Sequence, residues 1–191
     1  MGAKSENTCQ ALAASLKELM KSRPFEKITI KEITDGAGLI RPTFYNHFQD
    51  KYDLLEWIFC NEVILPAKAL LDHDMLQEAA QLMLLEIEKE EAFYRKAIRI
   101  GGQNSFLQIV ENVFRELLLR VIERHTHVST IGGKLLTVQN IAEFFAASSL
   151  FVIVKWLESD EKVPTEEVAK VYKVLITRAF SEMMELGKEI G

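Results

Sequence analysis

The stretch GLIRPTFYNHFQDKYDLLEWIF, residues 38–59, decides how the N-terminal part of this chain is interpreted. Apolar residues Ile40, Phe44 and Phe48 recur at i, i+4 and i+8, a spacing that places side chains on one side of a helix. Between them stand side chains that can form hydrogen bonds, namely Arg41, Thr43, Tyr45, Asn46 and His47. The pattern predicts a short helix, about 41–47, with an apolar inner face and a polar outer face.

The segment TIKEITDGAG, residues 29–38, predicts a second short helix just before this one. Thr29 and Glu32 have the spacing of a capping box, in which each side chain satisfies a free backbone donor at the helix start. Gly36 and Gly38 are expected to end the helix at about 37, because glycine reaches the left-handed conformation of a helix end. An amphipathic helix over 8–21 precedes both. Two short helices after a longer one, joined by a tight glycine turn, predict a helix-turn-helix.

Helical periodicity continues along the rest of the chain. A fourth helix is expected to begin after Asp50 and to run toward Pro66, and further helical patterns cover 74–90, 91–100, 104–126, 135–158 and 165–187. No stretch shows the two-residue alternation of a strand. The predicted fold is therefore all-α with about nine helices, divided into a helix-turn-helix domain over 1–50 and a larger helical regulatory and dimerisation domain over 51–191.

Composition restricts the class of protein further. The formal net charge of −5 arises after residue 60, since residues 1–60 hold 8 basic and 8 acidic side chains. Cys9 and Cys60 lie far apart without metal-ligand neighbours, which favours free thiols in the cytoplasm and predicts no metal or cofactor. The apolar run FFAASSLFVIVKWL, residues 144–157, is shorter than a membrane-spanning helix and contains Lys155, so a buried helix is expected and no membrane partner. No catalytic motif is present, and we expect the protein not to be an enzyme.

A helix-turn-helix indicates binding to double-stranded DNA. The second helix of this motif enters the major groove, which is wide enough for a helix and presents a distinct pattern of donors and acceptors for each base pair. The polar outer face predicted over 41–47 suits that role.

The residues quoted above resemble the N-terminal signature of the TetR family of transcriptional regulators. The likeness rests on the capped Ile-rich helix, A-G at the turn, T-F-Y-x-H-F and K-x-x-L-L. FYRKAIRIGGQNSF and FFAASSLFVIVKWLES are similar to the C-terminal domain of a Firmicute-type subgroup that includes regulators of dihydroxyacetone kinase operons. The resemblance implies a DNA-binding unit of three helices followed by a larger, variable helical domain.

The resemblance also implies roles for single residues. It places Arg41, Thr43 and Asn46 nearest the bases, and Tyr45, His47 and Lys51 at phosphates. The chemistry agrees, because Arg pairs with guanine and Asn with adenine through two hydrogen bonds each. Pro42 belongs to the same surface, where its fixed φ suits the first turn of a helix that starts after Ile40, a residue unable to cap it.

A possible effector site is carried by a mixture of aromatic and amide side chains before and after the glycine pair at 101–102. Aromatic walls with a few fixed polar groups are typical of ligand cavities, and the set is Phe93, Tyr94, Gln103, Asn104 and Phe106. The alternative is a helix corner that these side chains merely hold together. The sequence favours neither.

Three hypotheses for function follow. The first is a homodimeric, ligand-responsive repressor that binds an operator, paired through two long helices over 135–157 and 165–187. The final helix offers a stripe for this contact: Val171, Leu175, Ala179 and Met183. The second hypothesis is an activator controlled by a partner protein. The third is an all-α protein-interaction scaffold with an idle helix-turn-helix.

Overall fold

The computed structural model describes residues 3–102, 105–125, 130–132 and 136–190. Within this part of the chain the expected all-α fold is confirmed, with nine continuous helices: α1 (Ala3–Ser22), α2 (Ile30–Gly36), α3 (Arg41–Tyr45), α4 (51–72), α5 (Leu76–Lys89), α6 (Glu91–Ala97), α7 (Phe106–His125), α8 (Val138–Glu158) and α9 (165–190). Two of them contain a π-helical turn, at Cys60–Ile64 in α4 and at Lys173–Thr177 in α9.

Two features differ from the sequence expectation. Helix α4 does not stop near Pro66 but continues to Asp72, because the π-helical turn changes the hydrogen-bond register just before the proline, which sits in the first turn of the next α-helical segment. In addition, two short antiparallel strands, Thr130–Gly132 (β1) and Leu136–Thr137 (β2), precede α8. The helix predicted from 135 therefore begins only at Val138, with Thr137 as its N-cap.

The start and the end of α2 are built as the sequence predicts. The side chain of Thr29 accepts from the amide of Glu32, and the Glu32 carboxylate accepts from the amide of Thr29 at 2.9 Å. The adjacent Arg23 guanidinium lowers the pKa of Glu32 to about 2. At the other end Gly38 has φ of +67°, and the amide of Leu39 donates to the carbonyl of Thr34 at 2.8 Å, which closes the helix in a Schellman motif.

The inner face of α3 holds it against α4 through aromatic side chains. Phe44 and Phe48 are buried, and the ring of Phe48 lies 6.1 Å from the ring of Trp57. The expectation that Ile40 joins them is wrong, since Ile40 is 66% exposed. Ile40 has an extended backbone and is the residue before the first helical turn, so helical spacing does not apply to it.

The regulatory part of the chain is centred on aromatic residues. Phe59 of α4 lies within 6.4 Å, between ring centroids, of Tyr94, Phe106 and Phe114. Helix α8 packs along α7, and Phe145 of α8 meets Phe180 of α9 at 5.0 Å. By length and composition alone, α8 is the one described helix that could cross a membrane, which corrects the expectation that it is too short. Its buried residues, among them Phe145, form part of this core.

Lys51 ties α4 to the turn between α1 and α2. Its ammonium group donates to the carbonyl oxygens of Phe25, Glu26 and Ile28 at 2.8, 3.1 and 2.9 Å, and it lies 4.6 Å from the centre of the Phe25 ring. Burial lowers the pKa of Lys51. An ammonium group has three donors, and all three are used here. Lys51 is thus a structural residue of the N-terminal unit.

Lys51→Met, which keeps the aliphatic stem, should lower the free energy of unfolding by about 1–3 kcal/mol, because three carbonyl groups, two of them partly buried, lose a charged donor. Chemical denaturation followed by circular dichroism measures this change. The slope of DNA affinity against salt concentration should stay as in the wild type, whereas loss of a phosphate contact would lower it by about one. Unchanged stability together with a lower slope would restore the phosphate role expected from the sequence.

Candidate nucleic-acid interface

The outer face of α3 carries the side chains that the sequence assigned to DNA. Arg41, Pro42, Tyr45 and Asn46 are exposed, and Thr43 is half-buried at the edge of the same surface. This orientation follows from the burial of Phe44, because residues on the opposite side of a short helix must then point outward. Helix α3 itself ends at Tyr45, and Asn46 is its C-cap.

The donor groups of this face are free for an external partner. Within the described residues, the side chains of Arg41, Thr43 and Asn46 form neither hydrogen bonds nor ion pairs. Among the described aromatic rings, that of Tyr45 meets only Phe44, edge to face at 5.7 Å. A small surface with unused donors and acceptors on a rigid helix is what direct contact with base edges requires.

Ile40 adds an apolar side chain to the same end of α3. It directly precedes Arg41 and makes no capping bond, and no described ring or ion pair covers it. The sequence interpretation missed this residue as a surface contact because it assigned Ile40 to the buried stripe. The available signal was its position before Arg41 and Pro42, where a capping Ser or Thr would ordinarily stand.

His47 connects the end of α3 to α1. Its Nδ1 atom lies 3.5 Å from Oγ of Ser5 and 3.6 Å from Sγ of Cys9. Cys9 is buried, and burial raises the pKa of its thiol. His47 therefore holds the recognition helix at a fixed place on α1, and its Nε2 has no hydrogen-bond partner among the described residues. Lys51, by contrast, donates to three backbone carbonyl oxygens.

The aromatic residues expected at an effector site are part of the hydrophobic core. Phe93, Tyr94 and Phe106 are buried. The centroid of the Tyr94 ring lies 5.1 Å from that of Phe93 and 6.0 Å from that of Phe106. Among the described residues, the Tyr94 hydroxyl has no hydrogen-bond partner, and burial raises the pKa of Tyr94. Gln103 and Asn104 lie outside the described residues. Three of the five expected effector residues are thus buried side chains of the aromatic cluster.

A groove of about 810 Å³ runs between α4 and α7, away from that aromatic cluster. Its apolar walls are formed by Ile64, Leu65, Leu71, Val113, Leu117 and Val121. Charged side chains follow its edges, and they include Glu56, Lys68, Glu116, Arg120 and Glu123. The π-helical turn of α4 begins at Cys60, which also lines the groove. The volume and the mixed lining are in the range of ligand sites in proteins.

Comparison with known proteins agrees with this architecture. Residues 12–58 match the family model of bacterial regulatory proteins of the tetR family, and residues 74–178 match a transcriptional regulator C-terminal region of the TetR type. The chain is 33% identical over 117 residues to the HTH-type dhaKLM operon transcriptional activator DhaS of Lactococcus lactis subsp. lactis (strain IL1403). That match covers 60% of this chain and 63% of the relative, so it spans less than two thirds of the relative's length.

Solved structures share the fold over nearly the whole chain. The dihydroxyacetone kinase operon activator DhaS superposes with a TM-score of 0.59 at 24% identity, covering 94% of this chain and 97% of the other. NalD of Pseudomonas aeruginosa, the secondary repressor of the MexAB-OprM multidrug efflux pump, superposes with a TM-score of 0.57 at 21% identity, covering 93% and 97%. With both family models matched in chain order and an exposed recognition helix on a helical body, the chain belongs to the TetR family of DNA-binding transcriptional regulators.

Proposed function

We propose that this protein is a cytoplasmic homodimer that binds a palindromic operator through α3 and represses transcription until a small molecule binds its regulatory domain. The observation that supports this most directly is the outer face of α3, where exposed donors and acceptors have no partner within the described chain. The matched relatives are regulators rather than enzymes, and we propose the same for this chain.

In this proposal the residues of α3 divide the work of recognition. Arg41 pairs with a guanine and Asn46 with an adenine, while Thr43 stands beside them at the groove floor. Tyr45 and His47 meet phosphates and set the register of the helix. Ile40 contacts the 5-methyl group of a thymine, since this is the apolar feature that the major groove offers.

Variants of α3 should separate these contacts. Arg41→Ala and Asn46→Ala should each weaken operator binding by roughly 1–3 kcal/mol and relax the preference at one base pair. Ile40→Ser should keep or slightly raise the free energy of unfolding, because serine can cap α3, and yet bind the operator less tightly. Fluorescence anisotropy with systematically substituted operators measures all three effects.

The operator itself provides the matched control for Ile40. Replacing thymine by uracil removes only the 5-methyl group. One such replacement should weaken binding by the wild type and leave binding by Ile40→Ser unchanged. Equal losses for both proteins at every position would exclude Ile40 from base recognition.

The dimer contact is proposed on the exposed faces of α8 and α9. Phe144 and Phe151 of α8 are 64% and 61% exposed, although the opposite face of the same helix is buried. Val171, Val174 and Leu175 of α9 are also exposed. The two helices are joined by a hydrogen bond of 2.8 Å from the hydroxyl of Tyr172 to that of Ser149. Apolar faces on adjacent helices suit pairing with a second copy as a four-helix bundle.

The sequence-derived dimer stripe agrees in part with these exposures. Val171, Leu175 and Ala179 are exposed, whereas Met183 is half-buried. On α8, Ala147 is exposed and Ala146 and Ser149 are buried, so of these three small residues only Ala147 is available to a partner.

Phe151→Glu should convert the dimer to a monomer at micromolar concentration, because a charge would be buried at the contact. Sedimentation equilibrium measures the association. Met75→Glu is the matched control, since Met75 is an exposed apolar residue outside α8 and α9 and its replacement adds the same charge. A dimer that persists in Phe151→Glu with wild-type affinity would place the contact elsewhere.

We place the effector in the groove between α4 and α7. Leu65 is largely exposed there, so Leu65→Trp can fill the groove without displacing core side chains. This variant should bind effector at least about tenfold more weakly and keep its operator affinity in the absence of effector. Calorimetry measures effector binding, with the metabolites of the operon encoded next to this protein's gene as candidate effectors. Undiminished effector binding by Leu65→Trp would exclude the groove.

A second candidate function is activation of transcription under control of a partner protein, and the identity to DhaS, named as an activator, favours it. In vitro transcription from the operator-containing promoter distinguishes repression from activation. Repression relieved by a metabolite supports the first function. Stimulation that requires a co-purifying protein supports the second.

A further inference from the structure

Helix α6 lies between the DNA-binding unit and the regulatory core, and two consecutive basic residues connect it to both. Lys96 donates from Nζ to the carbonyl oxygens of Met20 and Lys21, at 3.0 and 2.5 Å. These carbonyls belong to the last turn of α1, where no further helical amide can satisfy them. Lys96 therefore caps the C-terminal end of the first helix of the DNA-binding unit.

Arg95 caps a different helix. Its guanidinium donates to the carbonyl oxygens of Leu157 and Ser159, at 2.5 and 3.0 Å, at the C-terminal end of α8. Its Nε donates to the carboxylate of Glu91 at 2.6 Å, which fixes the side chain on α6. Consecutive helical residues point about 100° apart, so one short helix reaches two neighbours at once.

The body of α6 is held in place between these contacts. Phe93, Tyr94 and Ala97 are buried in the core. A second link to α1 is formed at the start of the helix, where Lys17 lies 3.2 Å from Glu90 and 5.6 Å from the centre of the Phe93 ring. Helix α6 is thus attached to α1 at two points and to α8 at one.

We propose that Arg95 and Lys96 are positioning residues for DNA binding, through which the C-terminal end of α8 sets the orientation of the DNA-binding unit. This inference rests on the proposed function, in which α8 pairs two subunits and α3 binds the operator. In the described chain the covalent connection between the two parts is α4. Helix α1 is also tied to α4 by the ion pair of Lys17 with Glu62 at 3.0 Å, and the α6 contacts add an attachment away from α4 that restricts rotation of the unit about this helix.

Arg95 and Lys96 also connect the end of α8 to the end of α1, so that a change at α8 can alter the position of α1. A shift of α8 moves the carbonyls that Arg95 holds, and α6 moves with them and carries the shift to the end of α1 through Lys96. Because α6 is only seven residues long and packs as one unit, it transmits a displacement rather than absorbing it.

The test measures the position of the unit directly, without DNA. Spin labels are placed on exposed residues of α1 and α9 by Gln10→Cys and Glu167→Cys, in a Cys9→Ala/Cys60→Ala background. Labelled chains are diluted with excess unlabelled chains, so that each dimer carries at most one labelled chain. Double electron–electron resonance then reports one intramolecular distance. The parent protein should give one narrow distribution.

Lys96→Met and Arg95→Met keep the side-chain length and remove the donors, and each should broaden the distribution. Lys96→Arg should restore it. The double variant should be no broader than either single one, because both substitutions break the same connection. Lys89→Met is the matched control, since among the described residues Lys89 pairs only with Glu86 on its own helix, and it should leave the distribution unchanged.

Operator affinity provides the second readout. Lys96→Met should bind the operator about tenfold more weakly while its dimer dissociates at the wild-type concentration. Distributions as narrow as the parent in Lys96→Met and Arg95→Met, confirmed as folded by thermal denaturation, would overturn the inference. If Lys96→Met does not fold, Lys96→Gln is used with the same criteria. If the wild type binds no operator, while Lys96→Met and Arg95→Met still broaden the distance distribution, the proposed function is overturned. The role of the two residues in positioning the N-terminal unit would remain.

Discussion

The structure depends on how the free carbonyl groups at helix ends are satisfied. Each helix leaves its last four carbonyls without a helical donor. Here basic side chains from elsewhere in the chain supply the donors: Lys96 at α1, Arg95 at α8, and Arg124 at the end of α4, where it donates to Leu71 and Asp72 at 2.7 and 3.1 Å. Charged donors at these positions also complement the helix dipole. Three contacts between distant segments are therefore made at helix ends, where they help to fix the directions of whole helices.

The DNA-binding surface also depends on contacts from distant parts of the chain. Helix α3 is only five residues long and has no side-chain cap, so it could not persist alone. The burial of Phe44, the contact of His47 with α1 and the attachment of α4 through Lys51 hold it from three sides. Because of this support, the outer side chains of α3 are not needed to hold the helix in place. Their donors can then be used for base pairs rather than for the fold.

Helix α4 takes part in the support of α3, in the aromatic core and in the proposed effector groove. Its first half holds α3 through Trp57, its middle contributes Phe59 to the aromatic core, and its π-helical turn lines the groove. A π-helical turn inside a long helix often marks a functional site. A boundary between residues 50 and 51 therefore separates α3 from a helix that belongs to both domains. Effector binding along α4 and displacement of α8 through α6 reach the same DNA-binding unit by separate routes.

Local sequence alone determined the elements whose causes lie within one helical turn. The capping box of Thr29 and Glu32, the turn at Gly38 and the outward face of α3 could be predicted because neighbouring residues produce them. Tertiary structure alone decided which distant partner each side chain meets. Lys51 could bind a phosphate or three carbonyls, and Tyr94 could line a cavity or fill a core, with no change in local pattern. The exposure of Ile40 was decided in the same way, since spacing gives a side chain its direction only where the helix has already begun.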